Sequence, residues 1–235
     1  MIYVTIMLYK TRGIVLNYMK YRETSIIARI FTELFGRQSY IIHGVRARKP
    51  RYNIALFQPL MPLDMVVYHK KNASIQRVAE VRCHWPIGSL LGDIRKATIA
   101  TFLTELLTKV IHEEEHNESL FYFLLHAVVK LNEQVTGYES FHLRFMLQLC
   151  SYLGFGVKAT QEINEQLGRS GLHIGFRKTE IALLDALLAG KFDQDMSISK
   201  STNRHLTIGM VKYYQLHIDA LDTLKSLKVI QEIGS

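Results

Sequence analysis

The first 82 residues fall into short apolar and β-branched runs, with no long helical period among them. Leu8–Tyr18, Thr24–Phe31, Gln38–Val45, Leu63–Tyr68 and Ser74–Val81 are rich in Ile, Val, Tyr, Phe and Thr, the residue types that fit a half-buried pleated surface. Gly36 and Lys49-Pro50 punctuate them as turns. In the last segment, alternation places Ile75, Arg77, Ala79 and Val81 on one face, with Ser74, Gln76, Val78 and Glu80 on the other. Five short strands with no long helix among them predict a small closed barrel. An OB-fold is the first expectation and an SH3-like barrel its competitor.

After Trp85-Pro86 the pattern changes to helical periods. Ile94–Ile111 carries apolar residues at three-to-four spacing. Asn117 is placed to cap a second helix, with Leu120, Phe121, Leu124, Leu125, Val128 and Leu131 as its stripe. Tyr138–Tyr152 reads as a third helix stopped by Gly154. Thr179–Leu188, Ser199–His217 and a short Leu221–Leu227 follow. The fold class expected is α+β: an N-terminal five-stranded OB-fold barrel over 1–82, then an α-helical domain over 83–235 with a short irregular insert near 157–178. No internal repeat or low-complexity tract interrupts this.

Charge sharpens the division. The formal net charge of the chain is +8. Residues 1–82 hold 14 Lys and Arg against 4 Asp and Glu, and the rest hold 15 against 17. Between Leu34 and Leu63 there is no acid, while Arg37, Arg46, Arg48, Lys49 and Arg51 crowd that stretch. Segregated positive charge points to a polyanionic partner. Lys20 and Arg22 fall at the turn between the first two strands, and Lys70 and Lys71 between the last two. Tyr18, Tyr21, Tyr40 and Tyr52 are interleaved with these cations. They read either as barrel core and rim or as stacking platforms for bases.

Catalytic signals are weak. His112-Glu113-Glu114-Glu115-His116 satisfies the H-E-x-x-H expression, but it lies between two helices among adjacent carboxylates and reads as a solvated linker. There is no phosphate-cradling glycine loop and no G-x-S-x-G elbow. Of the 10 histidines, single ones such as His43 and His126 read as packed or surface residues. The 2 cysteines, Cys83 and Cys150, read as buried free thiols in a cytoplasmic protein. No apolar run is long enough to span a bilayer, and the MIYVTIML opening lacks the marks of a signal peptide. A second methionine at position 7 leaves the natural start at Met1 or Met7. No enzyme is expected, and no metal or cofactor.

The same residues carry a resemblance. YRETSIIARIFTELFGRQSYIIHGVRARKPR at 21–51 strongly resembles the opening of the DNA repair protein RecO (recombination protein O) family. FQPLMPLDM at 57–65, LRFMLQLCSYLGFG at 143–156 and TEIALLDALLAGKF at 179–192 resemble later segments of that family, in the same order. The resemblance implies an OB-fold followed by a helical domain, acting in the cytoplasm or on the nucleoid without a nucleotide. It implies binding to single- and double-stranded DNA, annealing of complementary strands, and work with RecR. It also implies docking on the tail of single-strand-binding protein and indirect help in loading RecA. It would place DNA on the basic barrel face: Lys20, Arg22, Arg37, Arg46, Arg48, Lys49, Arg51, Lys70 and Lys71. The tail would dock on the helical domain, with Arg144, Leu153 and Phe155 as the expected patch. Many relatives carry a four-cysteine zinc module after the segment matching 154–156, but 157–177 contains no cysteine, so no zinc is expected. Two other readings of the charge stay open: an adaptor docking an acidic protein, and an RNA-binding factor.

Overall fold

The structure, a computed structural model, describes residues 7–71, 73–111, 116–172, 174–192, 194 and 196–233. Met1–Ile6 and His112–Glu115 of the H-E-x-x-H run lie outside the described residues. The chain divides into two compact units: Met1–Ile87 with Ile111–Val128, and Gly88–Val110 with Val129–Ser235.

The first unit holds β1 (Met7–Tyr21), β2 (Ser25–Thr32), β3 (Gly36–Ile42), β4 (Pro62–His69) and β5 (Gln76–Cys83). They pair into a closed ring in the order β1-β2-β3-β5-β4, the OB-like arrangement. Among the described residues, only β3 and β5 run parallel, through Tyr40–Gln76 and Ile41–Arg77. Closure depends on β1, which pairs with β4 through Met7–Ile14 and with β2 through Gly13–Tyr21. Gly13 stands where both partners meet. A Cβ there would lie 2.6 Å from Ile30 Cγ2 and 2.9 Å from Met65 Sδ, so only hydrogen fits. Ile26, Ala28, Ile30, Tyr40, Ile42, Leu63, Met65 and Val67 are buried in this unit. Each such Ile, Val or Leu contributes about 1.5–3 kcal/mol by leaving water.

The simple alternation expected for β5 breaks. Val66 pairs with Glu80 but Val67 with Val78, so Ala79 is an extra residue and the faces exchange there. Gln76 and Val81 are therefore both buried, and Arg77 is exposed.

Helix α3 (Glu118–Glu133) starts in this unit. Asn117 caps it, its Oδ1 accepting from the Leu120 N–H at 2.9 Å. Phe121 stacks on Phe31 with ring centroids 6.4 Å apart. Arg12, ion-paired with Glu33 at 2.6 Å, also donates to the Tyr122 hydroxyl at 2.7 Å. These contacts explain why a helical segment from beyond the strands belongs to their unit.

The second unit is helical: α1 (Gly88–Gly92), α2 (Ile94–Val110), the end of α3, α4 (Phe141–Tyr152), α5 (Gln161–Arg169), α6 (Lys178–Ala189), α7 (Lys200–His217) and α8 (Leu227–Ile230). Helix α4 is buried over most of its length, and α6 and α7 pack on it. Gly154 ends it at φ +88°, a left-handed position that favours glycine.

Three further expectations change. The insert expected to be irregular contains α5, whose core face is only Ile163 and Leu167, too short a stripe to announce itself. Helix Leu221–Leu227 is not formed; α8 begins at Leu227 instead. Its start is set from α2, where the Glu105 carboxylate accepts the N–H groups of Lys225 and Ser226 at 2.8 Å each and the Ser226 hydroxyl. Cys150 is buried as expected, but Cys83 is exposed, because the strand that carries it ends there.

Candidate nucleic-acid interface

Apart from Arg37, the expected DNA-binding cations lie in or beside three connections between strands. Arg22 turns the β1–β2 hairpin in a left-handed conformation, φ +52°, leaving Lys20 and Arg22 exposed. The chain leaving β3 is tied to that hairpin. The Arg46 N–H donates to the Thr24 carbonyl at 2.9 Å, the Arg46 guanidinium to the Arg22 carbonyl at 3.2 Å, and Ser25 Oγ meets His43 Nδ1 at 3.1 Å. The other end of this loop is tied to the β5 bulge, where the Ala79 carbonyl accepts from Arg51 at 2.9 Å and from the Tyr52 hydroxyl at 3.2 Å. Arg48 and Lys49 stand exposed between the two anchors. The β4–β5 turn bearing Lys70 and Lys71 is held by buried Gln76. Its amide accepts from the Lys70 N–H at 2.9 Å and donates to the carbonyls of Lys70 (2.8 Å) and Ala73 (3.0 Å).

Strand register carries a path between these connections. Met19 pairs with Ile27, Ile27 with Ile41, Ile41 with Arg77, Arg77 with Tyr68, and Tyr68 with Leu8. The row runs from beside the β1–β2 hairpin to beside the β4–β5 turn. Asn17, Arg29 and Ser39 form the parallel row two residues further along β1, β2 and β3.

Cations outnumber acids here, although Glu23 stands exposed in the β1–β2 turn and Glu80 on β5. Glu33 is taken by Arg12, and Asp64 by Arg82 at 3.1 Å and His84 at 2.9 Å. Among the described residues, no ion pair engages Lys20, Arg22, Arg46, Arg48, Lys49, Arg51, Lys70 or Lys71. Arg37 is separated from them: it opens β3 opposite Phe31, about 16 Å from the Ile42 end at 3.3 Å per residue. Sequence reasoning missed Arg29 and Arg77, both exposed on these rows. Outward alternation of β2 could have found Arg29, whereas Arg77 needed the β5 bulge and the β3–β5 pairing.

The tyrosines divide. Tyr40 is fully buried inside the ring, because Gly36, Gln38, Tyr40 and Ile42 are the buried positions of β3, and it cannot stack on a base. Tyr21 lies under Arg22 (5.3 Å from guanidinium carbon to ring centroid) and Tyr52 under Arg51 (5.1 Å). Tyr68 lies likewise under Arg77 (5.8 Å). Tyr18 is half-buried opposite Ala28.

In the helical unit the expected patch does not hold together. Arg144 is 2% exposed, and its guanidinium donates to the carbonyls of Lys191 and Gln194. It ties the 190–194 turn to α4 and is not offered to a partner. Leu153 and Phe155 are half-buried, with Phe155 stacked on His217 at 4.6 Å. Among the described residues, no three His, Cys, Asp or Glu side chains come together as metal ligands, and no helix is long and apolar enough to cross a membrane.

The model of the recombination protein O N-terminal domain matches residues 7–86, and that of the C-terminal domain matches 91–167. The chain belongs to the RecO family of DNA repair proteins. It is 34% identical to DNA repair protein RecO of Flavobacterium psychrophilum over 237 residues, covering 96% of this chain and 99% of that one. It is 31% identical to DNA repair protein RecO of Bacteroides fragilis over 240 residues, covering 97% and 99%. Membership in RecO makes DNA repair the setting in which the cation-rich ring works.

Proposed function

We propose that the chain is a recombinational DNA-repair mediator without catalytic activity of its own. It binds single- and double-stranded DNA through the ring, anneals complementary strands, and helps load recombinase on coated single strands. One observation carries this reading: Arg46 and Arg51 tie the β3 loop to both the β1–β2 hairpin and β5, so that charges far apart in sequence act together. Two complementary strands repel each other. A surface that neutralises phosphates on both lowers that repulsion, and release of condensed counterions drives the binding. Phosphate contacts carry no sequence code, so annealing proceeds with any complementary pair.

The partners in this reading are DNA, the tail of single-strand-binding protein, RecR, and indirectly RecA, in the cytoplasm on the nucleoid. With Arg144 engaged internally, Leu153 and Phe155 remain the docking candidates for the tail. The test is annealing of oligonucleotides coated with the host's own single-strand-binding protein. The chain accelerates annealing of coated strands if it is a mediator. It leaves the rate unchanged if the basic ring serves only an acidic protein partner, and an RNA-binding factor shows tighter binding to RNA than to DNA under the same salt titration.

A further inference from the structure

We infer that the ring holds a single strand by its phosphates and sugars, with the bases turned away from the protein and free to pair. The inference rests on the DNA-binding reading above and adds the orientation of the strand.

The surface between the basic connections is aliphatic and polar. Along the row that joins them stand Met19, Ile27 and Ile41, and beside it Asn17, Arg29 and Ser39. Met19 is 57% exposed, as is Leu8 at the far end of the row. None of these offers a π face. A strand that turns its bases inward gains most of its affinity from base–aromatic stacking, about 1–3 kcal/mol per base. Of the rings near the path, Tyr18 is half-buried opposite Ala28, His43 is bonded to Ser25 at 3.1 Å, and three tyrosines are already occupied. Tyr21, Tyr52 and Tyr68 each carry an arginine over one face, at 5.1–5.8 Å, and each is half-buried otherwise. Inserting a base displaces a cation from the ring and from the phosphates at once. Tyr40, the remaining ring in the middle of β3, is inside.

The complementary arrangement has no such conflict. Lys20, Arg22, Arg46, Arg48 and Lys49 on one side and Lys70 and Lys71 on the other receive phosphates. Met19, Ile27 and Ile41 meet the apolar faces of the sugars. What is left of the strand, its Watson–Crick edges, faces solvent. A strand held this way pairs with an incoming complement without first being released, so annealing follows from the surface itself.

The experiment uses the full chain with two oligonucleotides of equal length, one of thymidines and one abasic, each titrated by anisotropy. Permanganate oxidation of the bound thymines is measured in parallel. The expected result is equal affinity within about twofold and thymines as reactive bound as free, because no stacking is lost. A drop of about tenfold or more for the abasic strand, with thymines protected, overturns the inference while leaving DNA binding intact. If neither strand binds, the DNA-binding reading falls and this one with it. Met19→Trp, at an exposed position, places an aromatic platform on the path. It is expected to tighten thymidine binding more than abasic binding and to slow annealing; an equal change for the two strands, or no change in either, places the strand elsewhere and overturns the inference.

Discussion

The guanidinium of Arg46 donates to the backbone carbonyl of Arg22, 3.2 Å away, so one basic residue fixes the turn that presents another. The Arg46 N–H, bonded to the Thr24 carbonyl, closes the same junction. Charge and geometry can therefore be separated at this position. Arg46→Lys keeps the charge and shortens the donor. It is expected to weaken single-strand binding about threefold to tenfold, the loss of one hydrogen bond, while the slope of affinity against salt stays unchanged because the same number of phosphates is neutralised. Arg48→Lys, with no such tie, is expected to be neutral. Anisotropy across a salt series distinguishes the two.

The ion pair of Arg12 with Glu33 fastens the start of α3 to the strands. Arg12, by hydrogen bond and charge, holds the Glu33 carboxyl below its ordinary value of 4.5. A carboxyl with a lowered folded value contributes stability above its unfolded value and loses it as pH falls through the folded one. Arg12→Met is expected to cost about 1–3 kcal/mol at neutral pH. The gap to the unaltered protein narrows below about pH 4.5, which urea unfolding at several pH values measures.

His142 is fully buried in α4, its ring facing the Thr207 hydroxyl at 2.8 Å. That hydroxyl also lies 2.7 Å from the Asn203 carbonyl. Burial pushes the imidazole down from 6.5 to about 3. The unfolded chain then binds a proton that the folded one refuses, and stability falls as pH drops below 6.5, by about 1.4 kcal/mol per pH unit for this group. His142→Gln, which keeps a donor and does not titrate, is expected to flatten the unfolding free energy between pH 6.5 and pH 5. An unaltered slope in that variant assigns the acid sensitivity to other groups.

Gly13 has no room for a methyl group between Ile30 and Met65. Gly13→Ala is expected to destabilise the first unit by about 1–3 kcal/mol through overpacking. Because β1 meets both β2 and β4 at this point, near-ultraviolet circular dichroism of the tyrosines should lose intensity along with the unfolding midpoint.

Most of the strand ring was legible because its segments are rich in β-branched and aromatic residues and turn residues separate them; burial alternates in β3 and β4 but not in β1 or β2. The helices of α2, α3, α6 and α7 were legible from apolar spacing and, for α3, from its cap Asn117. What escaped depends on partners distant in sequence. The start of α8 is written in Glu105 of α2, and the inward turn of Gln76 in a bulge that only the β4 register reveals. Arg144 illustrates the same limit: its spacing on α4 says nothing of the carbonyls at 191 and 194 that consume it. In the basic site, the loop and turn cations were readable from charge alone. Arg37 was grouped with them by sequence proximity, although the length of β3 sets it apart.

The cations joined through Arg46 and Arg51 are proposed to grip DNA phosphates. The direct measurement is single-strand affinity of the fourfold variant Arg46→Glu, Arg48→Glu, Lys49→Glu and Arg51→Glu, taken across salt and beside its thermal unfolding. The unaltered chain, neutralising about five phosphates, is expected to show a log–log salt slope of roughly −3.5. The variant is expected to lose binding at moderate salt with its unfolding midpoint little changed. Retention of affinity and slope by a folded variant contradicts the account.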